Sequence, residues 1–131
     1  MSPVAFGKPE DIPPETVVHR VGGGSVDNLR LSPFDQKEVP PGISVLLGGT
    51  PEQAAVQMRQ AFPNSREWRA TAQTVGTTTA VALQRAGFEV VPDPTTRFVN
   101  HARLIHPEGA LGFTDTNLET LARRFQDTTG C

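Results

Sequence analysis

The sequence predicts an α+β domain, because short apolar or β-branched runs of strand length are interleaved with amphipathic segments that carry helix-cap residues. Glycines and prolines, twelve of each and without a repeat period, supply the many turns such an arrangement needs. A length of 131 residues fits one domain, and no shift in composition divides it into two separately cored halves. The reading is a Pro-rich N-terminal arm over residues 1–15 and a single α+β domain over 16–131.

The elements follow in order. Pro3, Pro9, Pro13 and Pro14 remove backbone donors and hold the arm extended, as a tail or a wrapping strap. Residues 16–21 (TVVHRV) are β-branched and stop at Gly22, Gly23 and Gly24, which predicts a first strand. Residues 26–31 (VDNLRL) alternate apolar and polar as a half-buried strand does, up to Pro33. Residues 43–47 (ISVLL) form a nearly continuous apolar run between glycines and predict a central strand. The clearest helix spans 50–62: Thr50 is placed to cap it, Pro51 suits the first turn, and Gln53 completes a capping box. Its face of Ala55, Met58 and Phe62 is expected to lie against the sheet bearing Ile43 and Val45.

Residues 64–70 suggest a short helical turn around Trp68, and 78–86 a longer helix stopped by Gly87 and followed by a strand at 88–91 (FEVV). Residues 98–106 (FVNHARLIH) read as a strand ended by Pro107. A last helix at 116–125 has capping-box spacing in Thr116 and Glu119, with Leu118, Leu121, Ala122 and Phe125 as its buried stripe. The expectation is five strands and about three helices.

Charge narrows the function classes. The formal net charge is −2, with both signs interspersed and no basic cluster, so there is no strong nucleic-acid signal. Ten of the twelve basic residues are arginine, the side chain suited to fixed bidentate contacts. Cys131 is the only cysteine, which excludes an internal disulfide and a Cys-based metal site and fits a reducing compartment. No secretory leader pattern or membrane-length apolar run is found, so no membrane partner and a cytoplasmic location are expected.

Several residues have chemistry to offer, each beside a plainer use. Arg20 ends the first strand, where its planar fork suits a phosphate or carboxylate, or a local ion pair. Gly23, Gly24 and Ser25 give permissive backbone and a hydroxyl that suit an anionic ligand, or simply a flexible turn; neither GK[ST] nor GxGxxG is present. Ser44 lies in the central strand, where a hydroxyl ordinarily bonds buried backbone. His101 and His106 fall on opposite faces of a strand, which argues against one shared metal. Glu89 and Glu108 are carboxylates of the kind used in glycosyl transfer, and equally of the kind found on any solvated surface.

The succession GGGSVDN, EVPPGISV, NHARLIHP and TDTNLETL resembles the small bacterial type VI secretion effector toxins with an ADP-ribosyltransferase-like fold, over about residues 18–125. The resemblance implies a compact, split mixed or antiparallel sheet with a cleft for NAD as substrate, a toxin delivered into a target-cell cytoplasm, and an immunity protein as partner. It places Arg20, Ser44 and His101 at the catalytic cleft and Gly23, Gly24 and Ser25, with Arg20, at the dinucleotide. The chain departs from the pattern in two places: Gly24 stands where the family has threonine, and neither E-x-E nor Q-x-E occurs. The alternative is a non-catalytic interaction module of immunity or scaffold type.

Overall fold

The computed structural model describes residues 6–131; the first five residues of the arm, Pro3 among them, lie outside the described residues. From Phe6 onward the arm wraps: Pro9–Asp11 forms a 3-10 turn, and Phe6 and Ile12 pack on the main core.

The strands are β1 (Val17–Val21), β2 (Gly42–Leu47), β3 (Thr74–Thr79), β4 (Glu89–Pro92), β5 (His101–Ile105) and β6 (Gln126–Thr129). They form one sheet of order β4-β5-β2-β1-β3-β6. Every neighbouring pair is antiparallel, so the sheet is not mixed. The helices are α1 (Val26–Leu29), α2 (Pro33–Lys37), α3 (Pro51–Ala61), α4 (Arg66–Thr71), α5 (Ala80–Arg85) and α6 (Asp115–Ala122), twice the expected number among the described residues.

Alternation along the strands gives the sheet two apolar faces. On one, Val18, Ile43, Val45, Leu47, Val90 and Leu104 meet Leu29 of α1, Leu83 of α5, and Leu118 and Leu121 of α6, all buried. On the other, Val21, Leu46 and Val75 meet Ala54 and Ala55 of α3, with Met58, Trp68 and Phe98 at the margin. The strand 43–47 is apolar nearly throughout because both of its faces are covered. This corrects the expected partner of α3: the helix packs on the face of Leu46, while Ile43 and Val45 point the other way.

Residues 26–31 are not a strand. Ser25 caps α1 by accepting from the Asn28 amide at 3.3 Å, and Val26 and Leu29 turn the same way onto the core. Val26 and Leu29, three apart, share a face of a helix but not of a strand; only Leu29 and Leu31 fit alternation, and the cap agrees with the helix. The same chemistry starts α2, where Ser32 and Asp35 form a reciprocal capping box. The last helix starts earlier than expected, since Thr114, not Thr116, is its cap and accepts from the Asn117 amide at 3.2 Å. The segment 78–86 divides, its first residues closing β3 and Thr79 capping α5.

Candidate functional site

The β1–β2 ladder pairs Val18 with Leu47 and His19 with Leu46. Beyond it, the main-chain carbonyl of Ser44 is met by a side chain: Arg20 Nη1 donates to it at 2.9 Å. The same guanidinium donates from Nε and Nη2 to the carbonyl of Asn28, at 2.9 and 2.7 Å. Arg20 therefore ties α1 to β2 across the gap where the two strands part. Burial pushes its pKa down from the ordinary value and the Asp35 carboxylate pushes it back, but an arginine keeps its charge throughout. Three of its five N–H groups are engaged in these bonds.

A cavity of about 990 Å³ opens at this gap and runs over the α3 face of the sheet. Its sheet wall carries His19, Arg20, Val21, Ser44, Leu46 and His101. One side is α1 and α2, with Asn28, Arg30, Phe34 and Asp35; the other is Met58, Phe62, Glu67 and Trp68, closed by Thr95 to Phe98 from the β4–β5 connection. Four of the chain's eight aromatic rings, Phe34, Phe62, Trp68 and Phe98, line it. Aromatic walls with a few fixed polar groups are the usual make-up of a small-molecule site, and the volume lies at the upper end of the roughly 300–1,000 Å³ such sites span.

Three residues singled out in the sequence thus come together here: Arg20, Ser44 and His101. Ser44 is exposed within β2, so its hydroxyl faces the cavity and is not the buried, backbone-bonded group a central strand leads one to expect. His101 Nδ1 lies 2.7 Å from the Asp93 carbonyl and 3.3 Å from Asp93 Oδ2. A carbonyl only accepts, so Nδ1 carries a proton.

Gly23, Gly24 and Ser25 are not part of the cavity lining. The Gly22 amide donates to the Thr74 carbonyl at 2.7 Å, Gly23 to the Arg20 carbonyl at 3.1 Å and Gly24 to Asp127 Oδ1 at 2.8 Å. The turn thus serves the chain's own backbone and a carboxylate of β6. Gly22 and Gly23 both adopt a φ of 99°, which favours glycine, and a Cβ on Gly24 would fall 2.2 Å from Phe125 Cβ. Ser25 is engaged as the α1 cap.

The remaining candidates separate. His106 packs edge-on against Phe88, with ring centroids 5.0 Å apart, and its Nδ1 accepts from the Glu108 amide at 3.1 Å. Glu89 and Glu108 are exposed and outside the large cavity. His19, by contrast, is 1% exposed, with Nε2 3.1 Å from the Gly49 carbonyl and Nδ1 2.8 Å from Thr77 Oγ1. The carbonyl assigns the proton to Nε2, so Nδ1 accepts from the threonine hydroxyl. Burial pushes the His19 pKa down, opposed more weakly by its backbone partners and the Glu52 charge.

Phe62, Trp68, Arg97 and Phe98 were not among the residues the sequence singled out as functional. The signal available was their scarcity: in a chain with no tyrosine and one tryptophan, aromatic side chains at 62, 68 and 98 fall near helix and strand ends. Comparison of the chain with protein-family models, with curated proteins and with solved structures returns no match.

Proposed function

We propose that the cavity binds a dinucleotide of the NAD class and that the protein is an ADP-ribosyltransferase-like toxin acting in a target-cell cytoplasm, held in check by an immunity protein in the cell that makes it. The observation that carries this reading is the convergence of Arg20, Ser44 and His101 with four aromatic rings around one cavity. The resemblance of the motif succession to that of the effector toxins supports it from the sequence side.

In this reading the aromatic walls take the planar rings, Ser44 bonds a ribose hydroxyl, and the two N–H groups that Arg20 does not give to Asn28 and Ser44 meet the pyrophosphate. Transfer breaks the glycosidic bond to nicotinamide, which leaves with the bonding electrons, and a nucleophile on the target takes the ribose carbon. A carboxylate stabilises the oxocarbenium-like centre between those events. Of the carboxylates in the cavity wall, Asp27 pairs with Arg30 and Asp35 bonds the Ser32 amide. Glu67, the remaining wall carboxylate, stands next to Trp68 on α4, so none of the three is assigned this role.

The test is a calorimetric titration with NAD, run beside growth of bacteria after induction. Saturable heat and slowed growth are expected. Absence of heat together with harmless expression at high level refutes the reading. It would favour the second one, a non-catalytic interaction module of immunity or scaffold type. That alternative draws on Phe34 and Val39, which are 80% and 92% exposed on the segment bordering the cavity.

A further inference from the structure

The Phe62 and Trp68 rings stack in the cavity wall with centroids 5.9 Å apart and planes 19° from parallel. The Arg97 guanidinium lies over the Phe62 ring at 5.0 Å. Its Nη1 donates to the Ala61 carbonyl at 3.4 Å, and no carboxylate is paired with it among the described residues. Arg30, the other exposed arginine of the cavity, differs in bridging Asp27 and Asp115. An exposed cation over an aromatic face, with one long hydrogen bond and no counter-charge, is matched to a ligand that carries both an anion and a flat ring.

Arg97 belongs to a segment shaped to hold this position. The Thr95 amide donates to the Phe98 carbonyl and the Phe98 amide to Thr95 Oγ1, both at 2.9 Å, closing a tight turn. The turn is anchored at its base by the Asp93 amide, which donates to the His101 carbonyl at 2.9 Å. Its tip is therefore presented to the α3–α4 corner as a formed unit.

We infer that Trp68, Phe62 and Arg97 form a nucleotide-base subsite, in which a purine-type ring stacks on the aromatic pair and Arg97 takes the phosphate attached to that nucleoside. The inference rests on the nucleotide reading of the cavity and adds which end of the ligand lies where: the base at the α3–α4 corner, the rest of the molecule toward Ser44 and Arg20. Base stacking on aromatic side chains is tolerant of ring identity, so the phosphate contact supplies the discrimination at this end.

Trp68 is the only tryptophan and the chain has no tyrosine, so intrinsic emission reports on this subsite directly. The experiment titrates the full chain with AMP, adenosine and ribose 5-phosphate while Trp68 emission is followed, with NAD calorimetry alongside. AMP is expected to change the emission saturably, adenosine to do so with roughly three- to ten-fold weaker affinity, and ribose 5-phosphate to leave it unchanged, the range being that of a solvent-screened charged contact. Arg97→Ala, or Arg97→Gln where a milder change is wanted, is expected to lower AMP to the affinity of adenosine and leave adenosine alone. Arg97 is exposed, so either variant is expected to fold.

The inference is overturned if AMP leaves Trp68 emission unchanged at millimolar concentration, if AMP and adenosine bind equally in the unaltered chain, or if the advantage of AMP survives both substitutions. NAD heat without any AMP response leaves the dinucleotide reading standing and removes this subsite. An AMP response without NAD binding does the reverse.

Discussion

The two faces of the sheet are packed with side chains of different size. Under α1, α5 and α6 lie Leu29, Leu83, Leu118 and Leu121 against Ile43, Val45, Leu47 and Leu104, with Phe88 and Phe113 edge-to-face at 5.3 Å beside them. Under α3 the buried contributions from outside the sheet are Ala54, Ala55 and Ala72, and a histidine and a threonine share the strand surface with Val21, Leu46 and Val75. Alanine brings α3 close to the sheet, its cover over β2 stops at Leu46, and the cavity opens beyond it at Ser44 and His101. The larger core fixes the strands, and the smaller one leaves them a surface with Ser44 and His101 on it.

The largest effect that tests this division is a pair of truncations. Leu104→Ala, on a fully buried side chain of the leucine-rich face, is expected to cost about 2–5 kcal/mol in denaturant unfolding. Met58→Ala, on a half-buried side chain at the cavity wall, is expected to cost about 1 kcal/mol. Equal costs would show that the α3 face bears as much of the stability as its opposite.

A smaller effect is expected where the two faces meet. Arg20 gives three hydrogen bonds to main-chain carbonyls of Asn28 and Ser44, so Arg20→Ala leaves both acceptors without that partner. A loss of about 1.5–3 kcal/mol is expected, in the range of hydrogen bonds from a charged donor. This alters how the residue should be probed: lost activity in Arg20→Ala reports a loosened α1 as well as a lost ligand contact. A melt indistinguishable from that of the unaltered chain would remove the tie and leave Arg20 to the ligand alone.

Much of the scaffold was legible because its determinants are local. Thr50, Pro51 and Gln53 define the start of α3 within four residues, and the capping box is formed as the spacing predicts. The strand at 43–47 was legible from apolar length alone. What escaped was non-local. Strand β3 contains Gly76, which reads as a breaker; the structure needs it because a Cβ there would fall 2.6 Å from the Gly24 amide nitrogen, 52 positions away in the chain. Strand β6 (QDTT) is a polar edge strand with no apolar alternation, and only its pairing with β3 makes it a strand. At the site, Arg20, Ser44 and His101 were legible as strand residues with usable chemistry. The aromatic wall was not, because Phe62, Trp68 and Phe98 come from three separate segments that only the tertiary fold assembles.

The third test uses pH, through the histidine buried on the smaller core. Burial lowers the folded-state pKa of His19 below its ordinary 6.5, so between those two values the unfolded chain holds the extra proton. Stability is then fully present above about 6.5, falls as the pH is lowered through that value, and levels off below the folded-state pKa. The chain has two further histidines, so the measurement is the difference between the unaltered chain and His19→Gln in urea unfolding from pH 5 to 8. The slope should be shallower in the variant. A slope unchanged by the substitution would assign the acid sensitivity elsewhere and show that the His19 pocket accepts a charge.

The smallest expected change in stability is the most informative about function. Ser44 is exposed on a strand whose neighbours Ile43 and Val45 are buried on the opposite face, and its hydroxyl makes no hydrogen bond among the described residues. Its register partner on β5 is Arg103, which donates to the Pro40 carbonyl and so holds its own position without the serine. Ser44→Ala removes one oxygen from the cavity wall and nothing from either core, so its unfolding free energy should stay within about 0.5 kcal/mol of the unaltered chain. If the hydroxyl bonds a ribose as proposed, NAD affinity should fall by the worth of one neutral hydrogen bond, about 0.5–1.5 kcal/mol or roughly two- to ten-fold. Calorimetry on the same preparation as the urea melt gives both numbers. Unchanged affinity with unchanged stability would place the ligand off β2, and a loss of stability above about 1 kcal/mol would show that this stretch of the smaller face is packed and not open.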